Sequence, residues 1–255
     1  MSKIISVSNQ KGGVGKTVTS YVLLTELAAR GYKTLGIDLD PQGNLSGSLG
    51  ADIDSSATIA AVLTGESTAF EAVQALPFCD LISSNIYLAG AEKDVQGVGQ
   101  EYKLKEALET IKDQYDFIII DTPPSLGFLT INAFTASDFL VIPSVPAKYS
   151  LDGIVALNDT IERIRKYCNR ELKIAGVLIT RVKTNTRVAR DMTELTNRVC
   201  EHLDSTLFAS TIRETIEVEN SILAEQKITD SKTEIANDYN RFIDEFLVKA
   251  GAVNG

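Results

Sequence analysis

The sequence contains no tryptophan, one histidine and three cysteines in 255 residues. The cysteines, Cys79, Cys168 and Cys200, are far apart and odd in number. This pattern indicates free thiols in a reducing compartment and favours neither a disulfide framework nor a metal cluster. No apolar run approaches the ~18 residues of a membrane span, and the N-terminus lacks the basic and apolar regions of a signal peptide. We therefore expect a cytoplasmic protein.

Positive charge is also scarce, since 25 Lys and Arg against 34 Asp and Glu give a net charge of −9. This charge argues against a protein that binds polyanions with its whole surface. The distribution is uneven, however, because residues 162–198 contain ten Lys or Arg and four Asp or Glu, a local charge of +6. Any contact with nucleic acid is expected from that segment.

Short apolar runs alternate with longer segments of helical period, which predicts βα units around a mostly parallel, twisted sheet with helices on both faces. The predicted strands are 3–8, 34–38, 116–121, 139–143, 174–180 and 206–210, and the predicted helices are 16–30, 101–114, 151–167, 187–203 and 235–249. Residues 50–99 are less regular. There we expect short helices at 56–63 and 69–76, a strand at 80–83 and a glycine-containing loop. No repeat or linker divides the chain, so one domain over residues 1–255 is predicted.

The segment "KGGVGKT", residues 11–17, lies between the first predicted strand and the first predicted helix. This is the position of a phosphate-binding loop, whose glycines let backbone N–H groups turn inward toward an anion. In such a loop Lys16 reaches the β- and γ-phosphates of a nucleotide, and the Thr17 hydroxyl ligates magnesium. The segment therefore predicts a site for a magnesium nucleotide.

Acidic residues follow two other apolar runs. "FIIIDTPP" places Asp121 at the end of one predicted strand, and "GIDLDPQGN" places Asp38 and Asp40 at the end of another. Ligands of open α/β sheets bind at the carboxyl ends of the strands, so these carboxylates are expected near the phosphate loop. Asp121 then has the place of a Walker B carboxylate, which holds the metal through water. The alternative for each aspartate is a turn or cap residue.

Lys11 needs a separate explanation because Lys16 already fills the phosphate role. It is either a solvated loop lysine or a cation that stabilises transition-state charge as an arginine finger does. A lysine at the rim of the loop could reach across a symmetric dimer into the opposite nucleotide.

Together these motifs resemble the ParA/MinD superfamily, whose deviant Walker A motif carries an extra lysine that acts across a nucleotide-sandwich dimer. "DLDPQGNLSGSLG" and "YDFIIIDTPPSLGFLTINAFTASDFLVIP" are similar to the second motif and the Walker B region of ParA-type partition ATPases. "YSLDGI" and "IAGVLITR" continue the resemblance, which covers nearly the whole chain from Lys3 to about Phe246.

The resemblance implies a P-loop NTPase fold, ATP and Mg²⁺ as cofactors, and ATP hydrolysis that is slow unless a partner stimulates it. It further implies a ParA/Soj-type switch for plasmid or chromosome segregation. In that switch an ATP-dependent homodimer binds DNA without sequence preference, is nucleoid-associated, and is released by a ParB-like centromere-binding partner.

The resemblance also implies roles for single residues. Lys11 would act in trans, Gly12 would allow two loops to approach closely, and Asp40 would orient the attacking water. Catalysis would rest on Lys11, Lys16 and Asp40, and the metal on Thr17, Asp121 and, in its outer shell, Asp38. The implied nucleotide contacts are Lys11, Gly12, Gly13, Val14, Gly15, Lys16, Thr17, Val18, Arg213 and Thr215.

Three residues depart from the family pattern. Val18 stands where a second threonine is usual, Thr215 takes an asparagine position, and Glu217 stands where many members carry an arginine linked to DNA binding. One hydroxyl contact to the nucleotide and part of the usual DNA surface are therefore in doubt.

A basic cluster in "TRVKTNTRVARDM" is the candidate DNA contact, with Arg181, Lys183, Arg187 and Arg190. Doubled in a dimer, it would neutralise several phosphates and give salt-sensitive, sequence-independent affinity. The alternative is a solvated helix face. The first predicted strand begins at Lys3, so we expect no N-terminal helix-turn-helix domain and no reading of a specific operator.

Three other functions compete with this one. A MinD-like positioning ATPase, acting on a membrane or a non-DNA cargo, would need a basic amphipathic C-terminal helix. The C-terminal stretch instead carries acidic residues and ends in small ones. A reductase ATPase with a shared iron–sulfur cluster would need cysteines beside the Walker B region. A scaffold that dimerises without hydrolysis is disfavoured by the presence of Lys11, Asp40 and Asp121.

Overall fold

The computed structural model describes residues 2–95, 97–183, 187–202, 205–224, 227–230 and 233–252. At residues 92, 148–152, 187–193, 202, 219, 223 and 230 it describes the backbone alone. The strands are β1 (Lys3–Val7), β2 (Thr34–Asp38), β3 (Val73–Ala75), β4 (Asp80–Ile82), β5 (Phe117–Asp121), β6 (Phe139–Ser144), β7 (Lys173–Val182) and β8 (Leu207–Arg213). The α-helices are α1 (Lys16–Ala29), α2 (Asn44–Ser48), α3 (Ile59–Thr64), α4 (Ala69–Ala72), α5 (Leu88–Asp94), α6 (Lys103–Glu109), α7 (Phe128–Ala136), α8 (Lys148–Tyr167), α9 (Arg187–His202), α10 (Glu217–Leu223) and α11 (Glu234–Lys249). Short 3₁₀ turns lie at Gln100–Tyr102, Lys112–Gln114 and Ile228–Asp230.

The strands form one sheet in the order β3-β4-β2-β5-β1-β6-β7-β8. Neighbouring strands are parallel except for the pair of β3 and β4. The register places Asp121 of β5 level with Val7 of β1 on one side and with Asp38 of β2 on the other. The predicted convergence of the strand ends is therefore present, and it positions the site.

Helices cover both faces of the sheet, as the alternation along β5 shows. Ile118 and Ile120 point into a core that includes residues of α3, α5, α6, α7 and α8. Phe117 and Ile119 point into a second core, which is built with α1, α2 and α11. Since both faces of β5 are buried, its run of isoleucines has no polar alternation. The prediction of a mostly parallel sheet between two helical layers is confirmed.

Two of the predicted helices are wrong over about half of their length. The predicted helix over 101–114 is broken, because Ile111 has φ −130° and only α6 at its centre is α-helical. The predicted helix over 69–76 ends after one turn, which a capping box between Thr68 and Glu71 holds. Val73, which is β-branched, then begins β3 and pairs opposite Ile82.

Four helices, α2, α5, α7 and α10, have no counterpart among the predictions. Helix α7, "FLTINAFTA", is buried on almost every side, so it lacks the apolar stripe that identifies a surface helix. At the C-terminus, α11 packs Phe242 and Phe246 into the core with its apolar face. Among the residues with described structure, no helix is long and apolar enough to span a membrane.

Candidate active site

The loop between β1 and α1 has a backbone that two of its glycines permit. Gly13 and Gly15 have φ +73° and +86°, where side chains of L-residues are strained. Gly15 is the N-cap of α1, and its carbonyl accepts the N–H and the hydroxyl of Thr19 at 2.9 and 2.7 Å. A Cβ added at Gly12 would meet no atom within 4 Å. Its own chain therefore does not require glycine at position 12.

The Lys16 side chain is 7% exposed and lies inside the loop. Its Nζ donates to the backbone carbonyl of Lys11 at 3.2 Å. Burial lowers the pKa of Lys16, while the charges of Asp121 and Asp40 act in the opposite direction. A cation that is removed from water and close to two carboxylates is suited to bind the phosphates of a nucleotide.

Asn9 holds the start of the loop in place. It is buried, donates through Nδ2 to the carbonyl of Pro143 at 2.7 Å, and accepts the N–H of Lys11 at 3.0 Å. Val14, further along the loop, is buried, and its carbonyl accepts the Thr180 hydroxyl at 2.8 Å. The loop is thus tied to the ends of β6 and β7.

Asp121 lies beneath the loop and is fully buried. Its Oδ1 accepts the Ser20 hydroxyl at 2.8 Å, and Oδ2 has no hydrogen-bond partner among the described residues. Burial, and then the charge of Asp38, raises the pKa of Asp121 to about 7, while the hydroxyls of Thr17 and Ser20 and the ammonium of Lys16 oppose the rise. A buried carboxylate oxygen without a donor, near a threonine hydroxyl, fits the outer shell of a magnesium ion.

Asp38 accepts hydrogen bonds from the loop that contains Asp40. Its Oδ1 accepts the N–H of Asp40 at 3.1 Å, and its Oδ2 accepts the N–H and the hydroxyl of Ser46 at 2.9 and 2.8 Å. Burial is the main cause of the rise in the pKa of Asp38 to about 6. Because both oxygens already accept hydrogen bonds, Asp38 is placed to position Asp40. Its predicted share in the metal shell stays a prediction.

Asp40 lies at the surface of the cleft and is 9% exposed. Its carboxylate accepts the N–H of Gln42 at 3.0 Å, and its carbonyl accepts the Ser84 hydroxyl at 2.8 Å. These bonds hold the side chain on the same wall as the phosphate loop. This position fits the predicted role of Asp40 in orienting a water molecule.

The cleft has a volume of about 470 Å³. Its lining consists of Gly12, Gly13, Gly15, Lys16, Thr17, Val18, Asp40, Gln42, Asn44, Pro124, Thr180, Arg181, Ile212, Arg213, Glu214, Thr215, Val218 and Tyr239. Lys11 is half-buried and does not contribute to this lining. The predicted contacts Val18, Arg213 and Thr215 do lie in the cleft.

The wall opposite the phosphate loop comes from the end of β8 and from α11. Arg213 donates through Nε to Asp238 at 2.7 Å and also pairs with Glu234. The hydrogen bond to Asp238, with the charges of Asp238 and Glu217, raises the pKa of Arg213. The contacts with Asp238 and Glu234 hold its side chain along the wall. Tyr239, which is buried, completes that wall.

The four predicted DNA contacts are only partly described. Arg181 lies in the cleft, where it donates to the Gly13 carbonyl at 3.2 Å. Lys183 is near Glu214, with 3.7 Å between Nζ and Oε2. Arg187 and Arg190 belong to α9, and their side chains lie outside the described residues.

Several site residues escape prediction from motifs. Asn9, Ser46 and Tyr239 are ordinary residue types in positions that no phosphate-binding pattern singles out. Ser20 has a detectable signal, because it follows Lys16 by one helical turn on the phosphate-loop helix. Thr180 has one as well, because it ends a predicted parallel strand.

All three cysteines have free thiols. Cys79 and Cys200 are buried, and burial raises their pKa to about 12 and about 11. No cluster of three or more His, Cys, Asp or Glu suited to a metal exists in the part of the chain that the structure describes. A magnesium ion here would depend on Thr17, nucleotide phosphates and water, which is typical of phosphate-loop sites.

Several known proteins are similar to this chain in sequence and in fold. A family model described as an AAA domain matches residues 2–174. The sporulation initiation inhibitor protein Soj of Bacillus subtilis is 43% identical over 198 residues, 76% of this chain and 78% of that protein. The chromosome partitioning protein ParA of Caulobacter vibrioides is 40% identical over 200 residues, 74% of this chain and 75% of that protein.

Solved structures agree with these sequence matches. A Mycobacterium smegmatis protein named cobyrinic acid a,c-diamide synthase, with a bound ATP analogue and magnesium, is 33% identical with a TM-score of 0.87, and the match covers 97% of this chain and 95% of that one. A plasmid partition protein of Borrelia burgdorferi B31 bound to AMPPNP is 27% identical with a TM-score of 0.83, covering 98% of this chain and 100% of that one. By the family match, the sequence identities and the shared fold, the chain belongs to the ParA/Soj family of P-loop ATPases.

Proposed function

We propose that this chain is an ATPase switch for the segregation of plasmid or chromosome DNA. It binds ATP with Mg²⁺, dimerises on ATP, holds DNA without sequence preference as the dimer, and hydrolyses ATP slowly until a ParB-like partner stimulates it. The observation that carries the proposal is the cleft, where Lys16 and Asp40 lie beside a glycine loop of phosphate-binding conformation and the buried Asp121 is close to Lys16. The switch is one domain and is located on the nucleoid in its ATP state.

Hydrolysis needs no covalent chemistry from the protein, only positioning and charge, and four site residues have tasks in it. Loop N–H groups and Lys16 hold the phosphates, and Asp40 orients the attacking water. Thr17 and Asp121 would hold magnesium, directly and through water, and the ion supplies positive charge to the β- and γ-phosphates. Asp38 accepts hydrogen bonds from the Ser46 hydroxyl and from the Asp40 N–H, and these bonds hold the acidic loop in place.

Two features support dimerisation. The Lys11 side chain does not contribute to the lining of its own cleft, although its backbone contacts Lys16. Gly12 is exposed, and its own chain leaves room for a side chain there. A requirement for glycine at that position would therefore come from a second molecule, whose loop approaches closely enough for Lys11 to reach its nucleotide.

The DNA surface is proposed for the start of α9, where the sequence has Arg187 and Arg190. In the sequence α9 follows β7, and Thr180 and Arg181 of β7 line the cleft. The start of α9 is therefore only a few residues along the chain from the cleft lining. Membrane targeting through the C-terminal helix is not supported, because the apolar face of α11 is in the core.

The proposal is tested by DNA retention with and without ATP for wild type, Lys16→Ala and Asp40→Ala. We expect wild type to bind DNA only with ATP, Lys16→Ala never to bind, and Asp40→Ala to remain on DNA as a trapped ATP dimer. If neither ATP nor Asp40→Ala changes DNA retention, the partition function is wrong. ATPase activity measured in parallel distinguishes a hydrolysing switch from a scaffold.

The DNA surface has its own test in Arg187→Glu combined with Arg190→Glu. This pair should abolish DNA binding and leave ATP-dependent dimerisation unchanged. Arg163→Glu with Lys166→Glu, on the exposed face of α8, changes the net charge equally and serves as the control. Equal loss of DNA binding in the control would assign the effect to net charge, and loss of dimerisation would place α9 at the subunit interface.

A further inference from the structure

Arg181 has an unusual backbone conformation for its residue type. It is the one non-glycine residue with positive φ in the described part of the chain, at +53°. That conformation costs an L-residue about 1 kcal/mol and persists only where the surroundings impose it. Here β7 pairs with β8 on both sides of the residue, with Ile179 opposite Thr211 and Val182 opposite Arg213. The backbone turns the side chain back over the cleft that it lines.

The Arg181 guanidinium joins the two walls of that cleft. Its Nη1 donates to the carbonyl of Gly13 in the phosphate loop at 3.2 Å. Its Nε and Nη2 donate to Glu214 Oε1 at 3.3 and 3.0 Å, in the segment that follows β8. Both side chains remain accessible, with 55% of Arg181 and 35% of Glu214 exposed, and Glu214 also lines the cleft.

We infer that Arg181 is a further nucleotide-binding residue, which exchanges Glu214 for the polyphosphate of the bound nucleotide. The inference rests on the proposed binding of MgATP. Glu214, which already accepts from the guanidinium at 3.0 Å, competes with the phosphates for it.

The chemistry of the contacts favours an exchangeable partner. A carboxylate and a phosphate present the same kind of acceptor to an arginine, and both match its planar array of donors. A half-exposed ion pair is weak, so a polyanion that arrives at the Gly13 loop can displace Glu214 at little cost. No motif marks Arg181 for this task, because a phosphate-loop pattern covers only the residues around Lys16.

The test is a titration of each variant with a fluorescent ATP analogue and Mg²⁺ at low salt. Arg181→Gln should weaken binding about tenfold, the effect of losing a charged hydrogen bond. Glu214→Gln should tighten binding about two- to fivefold, since it removes the competing ion pair. In the double variant the gain from Glu214→Gln should disappear, because the guanidinium it frees is absent.

Lys183→Gln is the matched control. It removes the same charge as Arg181→Gln and pairs with the same glutamate, at 3.7 Å, but its side chain is 76% exposed and does not contribute to the cleft lining. We expect its affinity to stay within about twofold of wild type. Unfolding curves confirm that each variant is folded before affinities are compared.

Three results would overturn the inference. They are unchanged ATP affinity in Arg181→Gln, weaker binding in Glu214→Gln, and a gain from Glu214→Gln that persists without Arg181. Adenosine, which has no phosphate, should displace the fluorescent ATP analogue with the same affinity from wild type and from Arg181→Gln. Equal weakening of adenosine and ATP would place the contact at the base or ribose and also reject the assignment. Failure of wild type to bind MgATP would instead reject the proposed function.

Discussion

Replacing Asp121 with Asn removes a charge that destabilises the folded protein. The carboxyl group is fully buried, and burial together with Asp38 raises its pKa from an ordinary 3.8 to about 7. In the unfolded chain the pKa is ordinary, so at pH values between about 4 and 7 the folded state binds more protons than the unfolded state. Stability is therefore lost as the pH rises through this range. Asp38, with a pKa of about 6, acts with the same sign.

The size of the effect follows from the same groups. A pKa difference of about three units corresponds to about 4 kcal/mol at pH values above 7. Asparagine can still accept the Ser20 hydroxyl, but its amide N–H groups lie where Oδ2 has no partner among the described residues. An unsatisfied buried donor costs about 1–3 kcal/mol. We expect Asp121→Asn to stabilise the protein by about 1–3 kcal/mol at pH 8, which is a rise in Tm of about 2–4 °C per kcal/mol.

The assay is unfolding by urea and by heat at pH 5 and pH 8, with and without MgATP. The advantage of Asp121→Asn over wild type should shrink by more than half at pH 5, where the buried carboxyl group of wild type is protonated. MgATP should stabilise wild type and have little effect on the variant. Asp54→Asn, on the exposed loop before α3, is the control and should show neither effect. An advantage that is absent at pH 8, or equal at both pH values, would refute the reasoning.

The other predictions concern the loop, its support and the thiols. Gly12→Ala should keep the Tm of wild type and lose ATP-dependent dimerisation in sedimentation, whereas Gly15→Ala, at φ +86°, should lower stability by about 1 kcal/mol or more and lose nucleotide affinity. Ser46→Ala removes the hydroxyl that donates to Asp38 and accepts the N–H of Ser84, so kcat should fall more than KM rises; equal stability and unchanged kcat would contradict this role. Cys168, which is half-buried, should react with a thiol reagent well before the two buried cysteines, and simultaneous reaction of all three would show that the native protein opens.

Much of the sheet is predictable because its strands are buried on both faces. Unbroken apolar runs such as those of β5 and β6 are typical of strands buried on both faces of a sheet, and each is followed by a turn and a helix. Helix α11 is predicted within one residue because its apolar stripe is regular and Thr233 caps it. Hydrophobic periodicity does not predict a helix that is buried on almost all sides, such as α7. It also does not predict the end of a helix where a capped turn leads directly into a strand, as at Val73.

The two walls of the cleft differ in how far sequence can predict them, and chemistry explains the difference. Only a few residue types bind phosphate and magnesium well. The wall that binds them therefore needs glycines with positive φ, a lysine and carboxylates at strand ends. Those residue types at that spacing are rare by chance. The opposite wall uses Tyr239, Val218 and Arg213, and common side chains of this kind serve equally well in any core or surface.

Arg181 is a residue whose position in the cleft the sequence alone does not predict. Its sequence context is a run of basic residues, which predicts a surface for DNA. The fold gives it a positive φ and sets its side chain between Gly13 and Glu214 in the cleft, while its contact with DNA stays a prediction. A charge count treats every basic residue of a segment alike, whereas pairing of β7 with β8 separates one that faces the cleft from those that continue into α9. Arg181, near the end of β7, is thereby tied by its own side chain both to the phosphate loop and to the segment that follows β8, a position that no charge count distinguishes from its basic neighbours.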